Sequence, residues 1–497
     1  MIKLSFPTIK LKKHIVRVQI RVSELQETIT TIPIYGVTNK DGICATGKPT
    51  SDDTSNYLVI KHNQFAYNPY RINVGSIGLS DKAKTGAVSP AYIVFETLPT
   101  YDSEFLLHYL TCSIGINLIK WYGDRGGVRN ALRFKELGEI DVPDISLKQQ
   151  KEIIKSIKNI CHKKADFDAE IKKQEKYVVQ LRQTILQMAV EGKLVKQDEN
   201  DEPASVLLEK IAAEKKRLVD EGIIKKEKIF PPIDESEKPF DLPVGWEWCR
   251  LSTLVTNCDY GSSEKATTSS SDKHIPILRM NNISATGNLH YSCLKYVSSD
   301  IPDLPKLYLK ENDLLFNRTN SFELVGKTGL FDKDSNKYTF ASYLIRLRSI
   351  MINPKFLNMC INSTYFRKTQ LEPHITQQNG QANYNGTKLK ATKVPVPPLA
   401  EQNRIVEKVE QLMAMCDDLE KSIAMSKTNA ELLMQSVLNQ AFTEKTQTDS
   451  KVVEFTSPVT NDYTEEWDIA ARENGNIKPE TTEKIAEILS KVDEVNV

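Results

Sequence analysis

Gly326, Lys327 and Thr328 are consecutive and have the residue types of a phosphate-binding loop, but that loop needs a glycine five positions earlier, where Ser321 stands. Asn68-Pro69-Tyr70 has the outline of the Asn-Pro-Pro-Tyr used by adenine methyltransferases, without the second proline and without a glycine-rich cofactor loop before it. Pro143-Asp144 with Glu170 and Lys172 could be forced into a nuclease pattern, yet Glu170 and Lys172 fall inside a long heptad pattern and read as the solvated face of a helix. The seven histidines show no HExxH or comparable ligand spacing, so no metal site is expected. His162 sits on the same helix, and His374 lies in a polar stretch and reads as a surface residue. No glycine-flanked serine marks a hydrolase elbow. The cysteines stand at 44, 112, 161, 249, 258, 293, 360 and 416 with no CxxC among them, which argues against a zinc site and a disulfide framework and fits a reducing cytoplasm. A chain without any of these constellations reads as a binder or scaffold and not as an enzyme.

The chain has 497 residues, long enough for about three domains. Its composition, 40% hydrophobic and 26% charged, is that of an ordinary globular protein. No apolar stretch approaches the ~20 residues of a membrane span, and Lys3, Lys10, Lys12 and Lys13 break up an N-terminus that does not read as a signal peptide. Net charge is +1 overall but uneven: +4 over 1–148, +7 over 242–398 and −6 over 445–497. Two basic segments can lie on phosphate, and an acidic tail cannot.

The elements that organise the chain are written twice. Val142, Pro143, Leu147, Gln150 and Ile153 recur as Val394, Pro395, Leu399, Gln402 and Ile405, at a constant offset of 252, and the same offset carries Leu181, Leu186 and Ala189 onto Leu433, Leu438 and Ala441. Ser146 and Gln149 form a capping-box pattern that opens the first repeated segment. From there Ile153, Ile157, Phe167, Ile171, Leu181 and Ile185 lie on a heptad seam with two polar interruptions, and Leu412, Leu419, Ile423 and Leu433 lie on the corresponding seam of the second segment. Each segment predicts a helix of about 42 residues, roughly 63 Å long. A seam that narrow needs a partner helix, and the other copy supplies it, with Phe167 and Ile171 expected opposite Leu419 or its neighbours.

Each helix follows a globular region with short β-type runs: TIPIYGV at 31–37, YLVI at 57–60, DLLFN at 313–317 and SYLIRLR at 342–348. IPIYGVTN at 32–39 pairs weakly with IPILRMNN at 275–282, and QFAYN at 64–68 with DLLFN. The expected organisation is a globular domain over 1–148, a helix over 149–190, a connector with a short helix after Pro203 over 191–241, a second globular domain over 242–398, a second helix over 399–444, and an acidic tail over 445–497 with one short helix near 483–491.

LPVGWEWCRL at 242–251, LLFNRTNSFELVGKTGLF at 314–331, VPVPPLAEQNRIV at 394–406 and AVEGKLVKQDENDEPASVLLEKI at 189–211 resemble the DNA-specificity subunit of type I restriction–modification enzymes. The resemblance spans nearly all of 1–444. The tail lies outside it, and the first domain lacks the LPxGWxW opening of the second. It implies an α+β fold: two α/β target recognition domains, a pseudo-two-fold repeat, separated by a long antiparallel coiled coil of the two helices that the family conserves. It also implies that each domain reads half of a bipartite, asymmetric site on double-stranded DNA, and that two modification (methyltransferase) subunits dock on the helices. Restriction (translocase–endonuclease) subunits would join to cleave unmodified DNA. No cofactor is expected on this chain; S-adenosylmethionine, ATP and Mg2+ belong to the partner subunits. Half-sites would then lie about one helical turn, ~34 Å, apart. The competing readings are a coiled-coil adaptor that binds protein and a single-chain DNA-modifying enzyme with unrecognised motifs.

Arginine pairs with guanine, and asparagine or glutamine with adenine. On that basis the second domain offers Arg279, Asn281, Asn282, Asn317, Arg318, Thr319, Asn320, Gln378 and Asn379, and the first offers Asn39, Tyr67, Asn68, Arg71, Asn73 and Arg129. Arg318 and Arg279 lead, because each follows an apolar strand among polar neighbours. Lys327 and Lys40 are expected on phosphates, which position a domain without specifying sequence.

Overall fold

The computed structural model describes residues 6–25, 32–46, 53–81, 86–123, 131–227, 229–378 and 380–443. The described residues divide into two compact units, one built on those of 1–171 and 424–443 and the other on those of 172–423. The expected division kept the helices apart from the globular domains. In the structure each long helix is shared, its two ends belonging to different units.

The first unit holds strands β1 (Thr8–Lys10), β2 (Ile15–Val18), β3 (Ile34–Thr38), β4 (Gly42–Ala45), β5 (Leu58–Ile60), β6 (Gln64–Tyr67), β7 (Ile77–Leu79), β8 (Gly86–Val88) and β9 (Ile93–Thr97). Helices α1 (Ser103–Thr111), α2 (Ser113–Gly123) and α3 (Phe134–Gly138) follow, then β10 (Asp141–Pro143) and the start of α4 (Leu147–Val190). One antiparallel sheet has the order β2-β9-β6-β7, and a second has the order β4-β3-β8-β5 with β3 and β8 parallel. Strand β1 pairs with β10, so the domain opens and closes on one two-stranded ladder.

The second unit contains α5 (Ala204–Asp220), the short helix expected after Pro203. It continues with β11 (Glu247–Arg250), α6 (Leu251–Leu254), β12 (Val255–Tyr260), β13 (His274–Leu278), β14 (Lys295–Ser298), α7 (Leu304–Leu307), β15 (Leu314–Asn317), β16 (Thr319–Asn320), β17 (Thr328–Leu330), β18 (Thr339–Phe340) and β19 (Leu344–Ser349). Then come α8 (Pro354–Asn362), β20 (Thr376–Gln378), β21 (Gln381–Asn383), α9 (Gly386–Ala391), β22 (Lys393–Val396) and α10 (Leu399–Thr443). Its main sheet runs β12-β19-β15-β17, its second sheet β14-β13-β18 with β13 and β18 parallel, and β11 pairs with β22.

The main sheets have the same order and β4-β3-β8 matches β14-β13-β18, while β5 and the β16-β21-β20 sheet have no counterparts among the described residues; the registers show why the weak sequence pairs were real. Ile34 and Tyr35 pair with Ala87 and Val88 as Ile277 and Leu278 pair with Thr339 and Phe340. Phe65 and Ala66 pair with Leu79 and Gly78 as Leu314 and Leu315 pair with Leu330 and Gly329. The two domains are therefore one fold. The offset slides from 243 at β3 to 249 at β6 and 252 at β10 because the loops between those strands differ in length. The alternation of side chains across a strand leaves each residue only one face to occupy, so register survives where loop sequence does not.

The seam residues are buried as the heptad pattern requires: Ile157, Phe167, Ile171, Leu181, Leu412, Leu419 and Ile423 all face inward, and Leu433 is half-buried. Ser146 and Gln149 form the expected cap, with the Gln149 carboxamide oxygen accepting from the Ser146 N–H at 3.1 Å. In the second unit the helices run antiparallel, since Arg182 pairs with Asp417 at 2.5 Å while Gln197, beyond the end of α4, reaches Glu401 at 2.9 Å. That register sets Leu419 level with Leu181. In the first unit Ile157 and Cys161 share a cluster with Leu438, Ala441 and Phe442, which sets Phe167 level with the turn around Leu432. The expected placement of Phe167 opposite Leu419 is thus displaced by about two heptads, a shift that leaves every apolar seam position matched.

Candidate nucleic-acid interface

In the second domain the ends of several strands bring polar side chains together. Strand β16 joins the hairpin of β20 and β21 through Thr319 opposite Asn383 and Asn320 opposite Ala382. Arg318 is half-buried beside this hairpin. Its backbone N–H donates to Tyr343 O at 3.1 Å, its carbonyl accepts from Tyr384 N at 2.8 Å, and its Nε donates to Ser342 O at 2.9 Å. The guanidinium lies 4.9 Å from the centroid of the Tyr260 ring. The Tyr260 hydroxyl in turn accepts from Gly386 N at 2.8 Å. Arg318 is thus aimed by its Nε and by an aromatic face, and among the described residues no hydrogen bond takes its two terminal nitrogens, an arrangement compatible with a bidentate guanine contact.

Arg279 follows β13, where Leu278 O accepts from Ala341 N at 2.9 Å. One terminal nitrogen of Arg279 reaches Cys293 O at 3.5 Å, and Asn281 beside it is exposed. Gln377 and Gln381 project from the hairpin into solvent. Gln378 lies in β20. Asn379 lies outside the described residues, as do Arg129 and the expected tail helix.

Five of the expected contact residues are buried or have polar atoms engaged within the fold. Asn282 is 1% exposed, accepts from Arg279 N at 3.0 Å and donates to His290 O at 3.1 Å, so it closes a turn. Asn317 is buried and donates to Leu324 O at 3.3 Å. The buried Thr319 hydroxyl donates to Asn383 Oδ1 at 2.7 Å. Tyr67 is fully buried in β6, and burial pushes its phenol pKa well up. Asn320 is half-buried, with its carboxamide oxygen occupied by Ser321 N at 2.8 Å.

Lys327 is half-buried at the far end of the same loop. Burial, with the Arg367 guanidinium adding to it, holds its ammonium below the usual lysine range. Not every arginine of this domain is free to meet a phosphate. Arg346 is buried and pairs with Asp259 at 2.6 Å, and Arg348 grips the buried Asp313 with two bonds of 2.7 Å.

In the first domain the exposed turn of Asn39 and Lys40 lies against the loop that ends at Gly75, where a Cβ would sit 3.7 Å from Asn39 Cβ. Asn68 accepts from Tyr70 N at 3.0 Å and shapes the start of that loop; Arg71 is exposed and Asn73 half-buried on it. These five candidates therefore share one surface. The sequence reading missed Tyr260 and Arg367, whose roles come from stacking and from carbonyl contacts that leave no local sequence pattern.

Among the described residues no helix is long and apolar enough to cross a membrane, and no group of three or more His, Cys, Asp or Glu is placed to hold a metal ion.

A duplicated recognition fold, each copy closed by a two-stranded ladder that feeds a long seam helix, defines a class of paired-domain binding proteins. Residues 243–425 match the family described as the type I restriction modification DNA specificity domain. The chain is 33% identical over 267 residues to the EcoEI specificity subunit of Escherichia coli and 35% identical over 268 residues to the EcoAI specificity subunit. Each of these alignments covers 52% of this chain and 44% of the relative, so the chain spans less than half the length of those curated relatives. The EcoKI specificity subunit of E. coli K12 is 24% identical over 72% of this chain and 67% of its own. A chain of a solved type I R-M system has the same fold, with a TM-score of 0.52 at 16% identity over 89% of this chain and 98% of that one. The resemblance read from the sequence is thus supported by a match of the second domain to that family, and the mixed helix-and-sheet fold with two long helices is shared with that solved chain.

Proposed function

We propose that this chain is the DNA-specificity subunit of a type I restriction–modification complex. It recognises a bipartite, asymmetric site on double-stranded DNA, one half per domain, and directs methylation or cleavage by partner subunits without catalysing either step. The observation that carries this reading is the repetition in both domains of one sheet arrangement with different loops at the strand ends, the second copy matching a DNA specificity family. Identical scaffolds supply two equivalent docking geometries, and different loops let the half-sites differ. The helix surfaces away from the seam are where two modification subunits would dock, with restriction subunits joining them. On this reading S-adenosylmethionine, ATP and Mg2+ are bound by those partners, and the complex works in the cytoplasm.

Incubating the purified chain with DNA, Mg2+ and S-adenosylmethionine, alone and with its modification subunits, tests the division of labour. Methylation only in the mixture, with DNA affinity that falls steeply as salt rises, is the expected result. Product from the chain alone, or affinity indifferent to salt, contradicts it.

A further inference from the structure

Both domains carry the same loop, and in both it presents an aromatic ring to solvent. The loop runs from the end of β6 to β7 in the first domain and from the end of β15 to β17 in the second; each starts at an asparagine, Asn68 or Asn317. Each turns through a glycine with positive φ two residues before the returning strand, Gly75 at 86° and Gly326 at 88°. The loops have otherwise diverged, yet each holds a single aromatic, Tyr70 at 57% exposure and Phe322 at 37%.

The second loop is held rigid. Arg367 lies on a π-helical turn, Phe366–Leu371, a rare geometry that concentrates at functional sites. Its guanidinium donates to Phe322 O at 2.6 Å, Val325 O at 3.0 Å and Glu323 O at 3.3 Å, and Glu372 anchors its Nε at 3.0 Å. The same guanidinium lies 5.3 Å from the centroid of the Phe322 ring. Leu371, one turn further along, packs so closely on Gly326 that a Cβ there would meet it at 2.3 Å. In the first domain, Leu132 N donates to Pro69 O at 3.0 Å, and Asn68 fixes the amide of Tyr70. A solvent-facing ring contributes nothing to the core, and fixing its backbone in advance removes the ordering cost of inserting it elsewhere.

We propose that Tyr70 and Phe322 are aromatic wedges, one for each half-site, that stack against a base step and partly unstack it, with Arg367 as the positioning residue for Phe322. This rests on the reading of the chain as a specificity subunit. Aromatic and apolar side chains inserted at a base step kink or open the duplex, and neighbouring cations hold the flanking phosphates. Arg318, Lys327 and Arg71 are cations beside these loops.

The test uses the full chain assembled with its modification subunits, on duplexes of the methylated site with 2-aminopurine placed at successive positions. One fluorescence rise is expected in each half-site. Phe322→Ala should abolish the rise in one half and Tyr70→Ala in the other, each lowering specific affinity roughly 10-fold or more, with affinity for unrelated DNA unchanged. Phe322→Trp should keep the signal, and Arg367→Lys should weaken it only in the Phe322 half. No rise with the unmodified chain despite specific binding, or rises that both alanine variants leave intact, would overturn the wedge. Absence of specific binding by the unmodified complex would overturn the parent reading, and the wedge with it.

Discussion

Gln150 and Gln402 stand 252 residues apart and make the same two hydrogen bonds. The Gln150 carboxamide oxygen accepts from Asp102 N at 2.8 Å and its nitrogen donates to Ile145 O at 2.9 Å; Gln402 does the same with Asn353 N and Pro397 O, both at 2.9 Å. Asp102 and Asn353 cap α1 and α8, so each glutamine ties the cap of a domain helix to the first turn of the long helix that follows. Both side chains are fully buried. Gln402→Ala should leave a buried N–H and a buried carbonyl without partners, at about 1–3 kcal/mol for each. Gln149→Ala, at an exposed cap, should cost less than about 1 kcal/mol. Urea unfolding of the two variants checks the contrast.

Arg318→Ala should weaken specific binding by about 1–3 kcal/mol and relax one base position while leaving the others intact. Competition among all single-base variants of the site reads this out. Unchanged discrimination at every position contradicts the assignment.

Lys327 should show opposite effects on stability and binding. Its folded pKa is depressed, so the charged form carries a penalty below that pKa, relieved as pH rises from it towards the ordinary lysine value. Lys327→Met should therefore raise the thermal midpoint of the free protein at neutral pH, by a margin that narrows at alkaline pH. It should weaken cognate and unrelated DNA alike and reduce the salt slope by about one.

Phe167→Glu places a charge in a seam position that is 7% exposed. It should lower stability by several kcal/mol, since a carboxylate there is taken out of water and the cation one turn back on the seam, Lys164, is already held by Asp168. Loss of co-purification with the modification subunits should precede any change in base preference. Intact assembly and an unchanged melting profile would count against the paired helices.

The sequence made the scaffold legible where loops do not intervene. From Val142 to Ala189 no insertion separates the copies, so β10, its cap and the whole of α4 repeat at one offset as β22 and α10. Upstream, unequal loops slide the offset, so the match between Ile34 and Ile277 was weak in the sequence and needed the strand register to become firm. Helix register was hidden for a different reason. A heptad seam is satisfied by any shift of whole heptads, and the choice falls to contacts such as Arg182 with Asp417, which join residues far apart in the chain. At the interface, Asn282, Asn317 and Thr319 have the residue types of base readers, but a polar side chain at a strand end can equally satisfy buried backbone groups. Only the partners in space decide between those uses. Arg318 kept its candidacy because Tyr260 and Ser342 fix its direction and leave its terminal nitrogens open.

The central claim is that each domain reads its own half of one split site. Mapping N6-methyladenine at base resolution in cells that co-express this chain with its modification subunit tests it most directly. The account predicts a split motif with a methylated adenine in each half, lost when the chain is omitted, and altered in one half only by Arg318→Ala. Methylation that persists without the chain, or a single undivided motif, would contradict it.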